Sequence, residues 1–208
     1  MTGARLPYPG RRGADYDAAF AARAAAGADV HGEAALIALL APATVLDAGC
    51  GTGRVAAELD RRGIVVVGVD RDPLMLQRAR ETAPHLPFIL GDLATLTVSD
   101  VPPKRPAEAP ADGCAPRLFA CVVCAGNVLL FVDPGSEAAV VANLARHLAP
   151  GGRLVAGFQL VAAGLDCARY DAICRAAGLE LEQRFATWER DPFAPGSDYQ
   201  VSIHRRAA

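Results

Sequence analysis

The sequence predicts an α/β fold: a doubly wound, mainly parallel sheet with helices on both of its faces. Short apolar runs alternate along the chain with longer stretches that have the apolar spacing of helices, which is the pattern of such folds. The β-branched run at 64–69 is typical of a strand that helices cover on both sides. A glycine-rich turn follows the preceding predicted strand. Ligands of doubly wound sheets bind at the carboxyl ends of the strands, so we expect the functional site there.

The composition is that of one globular domain. The chain has 208 residues, of which 52% are hydrophobic and 21% charged, and its formal net charge is -2. This near-neutral charge gives no electrostatic reason to expect nucleic acid or an anionic membrane as a partner. No apolar run approaches the roughly 20 residues that span a bilayer, and the N-terminus lacks the apolar segment of a signal peptide. We therefore expect a cytoplasmic protein.

The six cysteines are expected to be free thiols in a reducing compartment. Cys121 and Cys124 form a Cys-x-x-Cys pair, but both lie within a predicted strand. Residues three apart in a strand point to opposite faces of the sheet, so this pair indicates neither a metal site nor a redox site.

The first 42 residues are expected to form a tail and a helical cap. Prolines and glycines break any regular pattern over residues 1–14, which predicts a mobile N-terminal tail. Residues 15–42 are predicted to form two helices, over about 15–26 and 31–40. Tyr16 and Arg23 share one face of the first helix, and this face either packs on the sheet or covers a bound ligand. His31 begins the second helix and is either a capping or solvated residue or a general base.

The turn after the first predicted strand carries the strongest signal of function. Asp47 precedes Gly49, Gly51 and Gly53 in an Asp-x-Gly-x-Gly-x-Gly pattern, and a helix is predicted over about 52–62. Because glycine lacks a Cβ, the backbone here can adopt positive φ and a ligand can lie directly against it. The helix points its unpaired N–H groups at that ligand. These features predict a site for a nucleotide-type cofactor.

The spacing of the glycines decides which cofactor is favoured. A dinucleotide fingerprint is Gly-x-Gly-x-x-Gly, but its third glycine is Arg54 here, and the Asp47 carboxylate would repel a pyrophosphate. A ligand with an ammonium and a sulfonium group tolerates that carboxylate. At this motif the chain resembles the class I S-adenosylmethionine-dependent methyltransferases, in particular the small single-domain members of methyltransferase types 11 and 25. The resemblance implies S-adenosylmethionine as cofactor, with Asp47 and the three glycines in its site.

The next two strand ends are expected to complete the nucleoside part of the site. Asp70, at the end of the second strand, is suited to accept hydrogen bonds from both ribose hydroxyls, and Arg71 follows it in the predicted cofactor site. Asp92, after the predicted strand at 88–90, matches the acidic residue that bonds the adenine amino group in the family. Leu93 is expected to add a backbone contact.

The segment after the fourth predicted strand, at 118–125, resembles the part of these methyltransferases that faces the methionine moiety. Ala125 and Gly126 are expected to hold the methionine amine through their backbone, and Asn127 to bond cofactor or substrate through its amide. If the first helix covers the site, Tyr16 or Arg23 would meet the methionine carboxylate.

The resemblance covers about Ala43 to Arg206, and residues 43–208 are the predicted methyltransferase domain. It implies a Rossmann-like sheet of strand order 3-2-1-4-5-7-6 in which only strand 7 is antiparallel.

Residues 101–117 contain five prolines and no periodicity, which predicts a loop insertion. Asp133 is predicted to cap a helix that runs to about 148, with His147 solvated. The last two strands are predicted at 179–189 and 199–206.

The function implied by the resemblance is transfer of a methyl group from S-adenosylmethionine to an O, N or C nucleophile by in-line displacement. A small-molecule acceptor is expected, with no nucleic acid or membrane partner and the chain a monomer or homodimer. His31, Tyr16 and Asn127 are the catalytic candidates, and no metal is expected. The alternative is a regulatory or structural protein that binds S-adenosylmethionine without transferase activity.

Overall fold

The computed structural model describes residues 30–98, 117–160 and 164–208, together with positions 18, 22, 25 and 26. The predicted tail, Tyr16, Arg23 and residues 101–116 of the predicted insertion lie outside the described residues.

One seven-stranded sheet organises the described chain, in the order β3-β2-β1-β4-β5-β7-β6. Its strands are β1 Thr44–Ala48, β2 Val65–Asp70, β3 Phe88–Leu90, β4 Phe119–Cys124, β5 Leu148–Gln159, β6 Leu179–Phe185 and β7 Tyr199–Arg206. The pairings β1–β2, β1–β4, β2–β3 and β4–β5 are parallel, whereas β7 is antiparallel to both of its neighbours. The predicted strand order, including the single antiparallel strand, is confirmed.

Helices cover both faces of this sheet. They are α1 Gly32–Leu39, α2 Arg54–Arg61, α3 Pro73–Thr82, α4 Val128–Phe131, α5 Glu137–Arg146 and α6 Cys167–Ala176. Residues of α1, α2 and α3 form one buried apolar cluster against the sheet, and residues of α4, α5 and α6 form the other. Cys121 belongs to the first cluster and Cys124 to the second, so the two thiols point to opposite faces, as the strand period requires.

The start of α5 differs from the sequence-based prediction. Asp133 was expected at the N-cap, but the helix begins at Glu137 with Ser136 at its N-cap position, and the short helix α4 precedes it. The Ser136 N–H donates to the Asp133 carbonyl at 2.9 Å, and Gly135 lies between them at φ 86°. These contacts close a turn, so the prediction that Asp133 caps α5 is wrong.

His147 is buried instead of solvated, with only 2% of its surface exposed. Its Nε2 accepts the backbone N–H of Val98 at 3.1 Å, so the proton is on Nδ1, which lies 2.9 Å from the Asn143 carbonyl. The ring therefore links the end of α5 to the segment that follows β3. The sequence suggested an exposed helix terminus and gave no sign of this distant partner.

The strand β6 ends four residues before the predicted end at Glu189. After Phe185 the chain turns, since the Ala186 N–H donates to the Asp191 carbonyl at 2.9 Å and Arg190 adopts φ 73°. An isolated bridge then pairs Phe185 with Pro192.

Replacement of His147 by alanine is expected to destabilise the protein by about 3 kcal/mol, because it leaves the buried Val98 N–H without an acceptor and opens a cavity. The measurement is urea unfolding. His85→Ala is the control, since His85 is exposed and its Nε2 pairs with Asp60; it should change stability by less than about 0.5 kcal/mol. Equal effects of the two substitutions would contradict the assignment.

Candidate functional site

A cavity of about 700 Å³ opens where the parallel strands β1, β2 and β4 end. Its wall contains residues that follow each of these strands and β3, together with parts of α1, α2, α3 and α4. This is the carboxyl edge of the sheet, where the sequence predicted the site. The volume lies within the range of small-molecule sites, which is about 300–1,000 Å³.

The three glycines of the turn after β1 have different surroundings. A Cβ on Gly49 would lie 2.5 Å from Val128 Cγ2, and a Cβ on Gly53 would lie 2.9 Å from the Phe88 ring, so these two allow close packing. Gly51 adopts φ 55°, and a Cβ there would meet no protein atom within 4 Å. Gly51 lines the cavity, so it leaves the backbone open to a ligand.

Asp70 joins the turn after β1 to the end of β2. Its Oδ2 accepts the Gly51 N–H at 2.8 Å, and its Oδ1 accepts the Asp72 N–H at 2.9 Å. Burial raises the pKa of Asp70, and the two backbone N–H groups oppose that rise. The carboxylate is therefore oriented by the backbone, and each oxygen keeps a lone pair for a ligand at the cavity wall.

Asp47 is almost completely buried at the end of β1, with 1% of its surface exposed. Among the described residues, its Oδ2 has no hydrogen-bond partner. Burial raises the pKa of Asp47 from 3.8 to about 7; the charge of Arg54 opposes this rise and that of Asp70 adds to it. A buried carboxylate in a cavity wall, with one oxygen that no described residue hydrogen-bonds, is suited to a cationic ligand group.

Arg54 begins α2 and ties it to α1. Its Nη2 lies 2.5 Å from Oε1 of Glu33 and its Nη1 lies 3.1 Å from Oε2, while Nη1 also donates to the Val30 carbonyl. The two side chains of the ion pair are 15% and 13% exposed, and both residues line the cavity. This pair was not predicted from the sequence, because 21 residues separate its members and no spacing rule connects them.

Two predicted residues after β3 are in the cavity wall. Asp92 Oδ1 accepts the Ala94 N–H at 2.8 Å, which closes a turn. Leu93 is 8% exposed, and its carbonyl accepts a hydrogen bond from Asn143 Nδ2 at 2.9 Å. These contacts hold the segment after β3 against α5.

Arg71 pairs with Asp133 across the cavity mouth, with 3.0 Å between Nη1 and Oδ1. The side chains are 50% and 58% exposed, so solvent screens this ion pair. Asp133 and its neighbours Phe131 and Val132 also line the cavity and were not predicted as site residues. The sequence gave no sign of this part of the wall, because the four residues of α4 are too few to show helical periodicity.

The segment after β4 is held by β5. Gly126 adopts φ 73° and a Cβ there would meet no atom within 4 Å, while Asn127 adopts φ 67°. The side-chain Oδ1 of Asn127 accepts the backbone N–H of Gln159 at 2.8 Å. The backbone N–H of Asn127 donates to the Gly157 carbonyl at 3.3 Å. The side-chain oxygen is thus engaged by the backbone of β5, and only the amide nitrogen is left to donate to a ligand.

His31 lies at the N-cap position of α1, where its Nδ1 is 3.8 Å from Glu58 Oε2. It is not among the described residues that line the cavity, and neither is Gly53. Its role as a general base stays a prediction. The structure brings the other described candidates together in the cavity wall: Asp47, Gly49, Gly51, Asp70, Arg71, Asp92, Leu93, Ala125, Gly126 and Asn127.

Neither a metal-binding cluster nor a membrane-spanning helix occurs among the described residues. No group of three or more His, Cys, Asp or Glu side chains in that part of the chain is placed to hold a metal ion. Within the same ranges, no helix has the length and apolar character needed to cross a membrane.

A sheet of this order with a ligand-sized cavity at its carboxyl edge defines a Rossmann-like, cofactor-binding α/β domain. Residues 45–104 match the family model described as a methyltransferase domain. The trans-aconitate 2-methyltransferase of Methylobacterium radiotolerans is 34% identical over 158 residues, or 69% of this chain and 60% of that protein. The chain therefore spans about three fifths of the length of that curated relative.

A solved structure gives the same family over nearly the whole chain, and a second shows the same fold. A TehB-like S-adenosylmethionine-dependent methyltransferase from Corynebacterium glutamicum is 33% identical, with a TM-score of 0.79 over 93% of this chain and 97% of that one. CalS10, an amino pentose methyltransferase from Micromonospora echinaspora with S-adenosylmethionine bound, is 23% identical with a TM-score of 0.65 over 90% and 95% of the two chains, which shows a shared fold. This chain belongs to the class I S-adenosylmethionine-dependent methyltransferases, as the sequence analysis predicted.

The residues present fit the cofactor of this family. Asp47 Oδ2, which no residue in the described ranges hydrogen-bonds, provides a buried carboxylate oxygen for a cationic ligand. The open backbone at Gly51 and Gly126 provides space where any other residue would place a Cβ.

The buried Asp47 predicts how the stability of the ligand-free protein depends on pH. With a pKa of about 7 in the native state and 3.8 in the unfolded state, the native protein holds a proton that the unfolded chain has lost between these values. The free energy of unfolding should therefore fall as the pH rises from about 4 to 7. In Asp47→Asn this fall in the free energy of unfolding should be smaller by an amount on the order of a few kcal/mol. The measurement is urea unfolding at a series of pH values. Parallel pH profiles of the two proteins would contradict the prediction.

Proposed function

We propose that this protein transfers the methyl group of S-adenosylmethionine to a nucleophile of a small-molecule acceptor by in-line displacement. The observation that carries the proposal is the joint arrangement of Gly51, Asp70 and Asp47 at the ends of β1 and β2. An open glycine backbone, an oriented carboxylate and a buried carboxylate with one oxygen that no described residue hydrogen-bonds meet there in one cavity.

The cavity wall supports the following assignment of cofactor groups. The Asp70 carboxylate accepts hydrogen bonds from the ribose hydroxyls, with Arg71 at the cavity mouth. Asp92 and Leu93 meet the adenine. Asp47 lies near the cationic end of the ligand, where Ala125 and Gly126 contribute backbone contacts. Tyr16 or Arg23 is proposed for the methionine carboxylate.

Catalysis here consists mainly of positioning. S-adenosylmethionine supplies an electrophilic methyl carbon: the acceptor's lone pair bonds to it, the carbon–sulfur electron pair stays on sulfur, and the acceptor's proton passes to a base or water. The chain holds the reacting groups in line through the rigid backbone at Gly51 and Gly126. Leu93, Val128 and Phe131 give the cavity an apolar wall, which excludes water from the reaction.

The acceptor is proposed to be a small molecule. A cavity of about 700 Å³ has room for the cofactor and a compact acceptor, and the net charge of -2 does not favour nucleic acid. Tyr16 and His31 are the proposed general bases, although an acceptor with a free lone pair needs none. The curated relative named above is a trans-aconitate 2-methyltransferase, whose acceptor is a small molecule.

Gly51→Val tests both the cofactor site and the activity. The added side chain occupies the open space at Gly51, so binding of S-adenosylhomocysteine by calorimetry and its release from S-adenosylmethionine should both be lost. Gly63→Val is the matched control, because Gly63 also has positive φ and open space but follows α2 outside the cavity. The control carries a similar backbone strain of about 1–2 kcal/mol and should keep binding. Retained binding in Gly51→Val would mean that the turn is not the site.

Asn127 is proposed as a positioning residue that fixes the backbone of Gly126 through Gln159. Asn127→Asp keeps a side-chain oxygen for the Gln159 N–H and should lower kcat by less than about threefold. Asn127→Gly keeps the left-handed backbone but loses the hydrogen bond, which should lower kcat about tenfold. If the Asn127 amide nitrogen instead contacts the acceptor directly, the aspartate variant will be at least as impaired as the glycine variant and will show a raised acceptor KM.

A further inference from the structure

The segment after β3 folds into a turn that carries two residues of the cavity wall, Asp92 and Leu93. The side-chain Oδ1 of Asp92 accepts the Ala94 N–H at 2.8 Å. The Asp92 carbonyl accepts the N–H groups of Thr95 and Leu96 at 3.1 and 2.8 Å. These contacts lie within the turn, so they set its shape but not its place beside the cavity.

The side-chain amide of Asn143 attaches this turn to α5. Its Nδ2 donates to the Leu93 carbonyl and to the Leu96 carbonyl, both at 2.9 Å, so both amide hydrogens are used. Asn143 is 6% exposed and lies on the buried face of α5, between the apolar Val141 and Leu144. An amide in such a place is stable only with hydrogen-bond partners, and the turn supplies them.

Two other contacts attach the ends of the same segment. The Gly91 N–H donates to the Asp70 carbonyl at 3.0 Å, and the Val98 N–H donates to His147 Nε2 at 3.1 Å. Gly91 and Val98 are not among the described residues that line the cavity, whereas Leu93 is. Asn143 therefore acts on the part of the segment that a ligand meets, although it does not line the cavity itself.

We propose that Asn143 is a positioning residue that sets the selectivity of the site for an adenine base. This rests on the proposed function, in which Asp92 and Leu93 meet the adenine. Asp92 is exposed, so its carboxylate is held in place by the turn and not by packing around the side chain. Without the Asn143 amide, the carbonyls of Leu93 and Leu96 lose their donor, and the turn shifts toward water or another donor. The Asp92 carboxylate shifts with it.

The test compares two ligands by calorimetry on the full-length protein. One is S-adenosylhomocysteine; the other is S-inosylhomocysteine, in which a carbonyl oxygen replaces the amino group of the base and the adjacent ring nitrogen carries a hydrogen. The wild-type protein should bind the inosine compound at least about tenfold more weakly, because its oxygen faces the Asp92 carboxylate. In Asn143→Leu, which has a similar shape and no donor, this ratio of Kd values should fall to about threefold or less, since a loosened turn can accept the ring N–H instead.

The ratio separates positioning from a loss of stability, because a smaller folded fraction raises both apparent Kd values equally. Gln200→Met is the matched control. Gln200 is also a buried amide, whose Nε2 donates to the Ala156 carbonyl at 3.4 Å and whose Oε1 accepts from Arg184 Nε at 3.1 Å. It is not among the described residues that line the cavity. The control should lower stability and leave the ratio within about twofold of the wild-type value.

Asn143→Ser is a milder variant that keeps one donor hydrogen in place of two. Its ratio should lie between those of the wild type and Asn143→Leu, and it provides the same test if the leucine variant does not fold.

Three results would overturn the proposal: a wild-type ratio in the folded Asn143 variants, an equal fall of the ratio in Gln200→Met, or a wild-type protein that binds both ligands equally. In each case S-adenosylhomocysteine still binds, so the proposed function stands and only the role of Asn143 fails. Failure of the proposed function gives a different result, because the wild-type protein would then bind neither S-adenosylmethionine nor S-adenosylhomocysteine, or would bind them without transfer to any acceptor.

Discussion

The carboxylate of Asp70 is the contact on which the rest of the site depends. One of its oxygens accepts the Gly51 N–H and the other accepts the Asp72 N–H, so a single side chain fixes the turn after β1 and the start of α3. The parallel register, with Ala48 opposite Val69, brings the two strand ends to the same level of the sheet. Without that register the carboxylate would not reach the glycine turn. The open face of Gly51 and the direction of α2 follow from this constraint.

A second constraint connects the helical cap to the site. The buried Ala34 and Ile37 pack α1 on the sheet, which places Glu33 beside Arg54 at the first turn of α2. Arg54 in turn opposes the rise in the pKa of Asp47 that burial causes. The packing of α1 thereby influences the charge of a group in the cavity, although α1 supplies no residue of the glycine motif. A change in this helix can alter ligand affinity without touching the ligand.

The parts of the structure that the sequence predicted are those with local signals. The alternation of strands and helices, the glycine turn and the acidic strand ends were all visible as spacing or residue type, and β3 lies where it was expected. The errors involve distant partners. His147 was expected in solvent because nothing in its own helix indicates Val98, and Asp133 was expected as an N-cap because its pairing with Arg71 across the cavity leaves no trace in sequence. Asn127 was assigned a direct role, and its contact with Gln159 became visible only in the folded chain.

The measurement that tests the account most directly is calorimetric titration of the protein with S-adenosylmethionine, S-adenosylhomocysteine and NAD, paired with thermal unfolding under the same conditions. We expect S-adenosylmethionine and S-adenosylhomocysteine to bind and NAD not to bind, because the buried Asp47 favours a cationic ligand and opposes a pyrophosphate. A ligand at 100 times its Kd should stabilise the native state by about 2.7 kcal/mol. Binding of NAD instead, or binding of none of the three, would contradict the assignment of the cavity at the ends of β1 and β2.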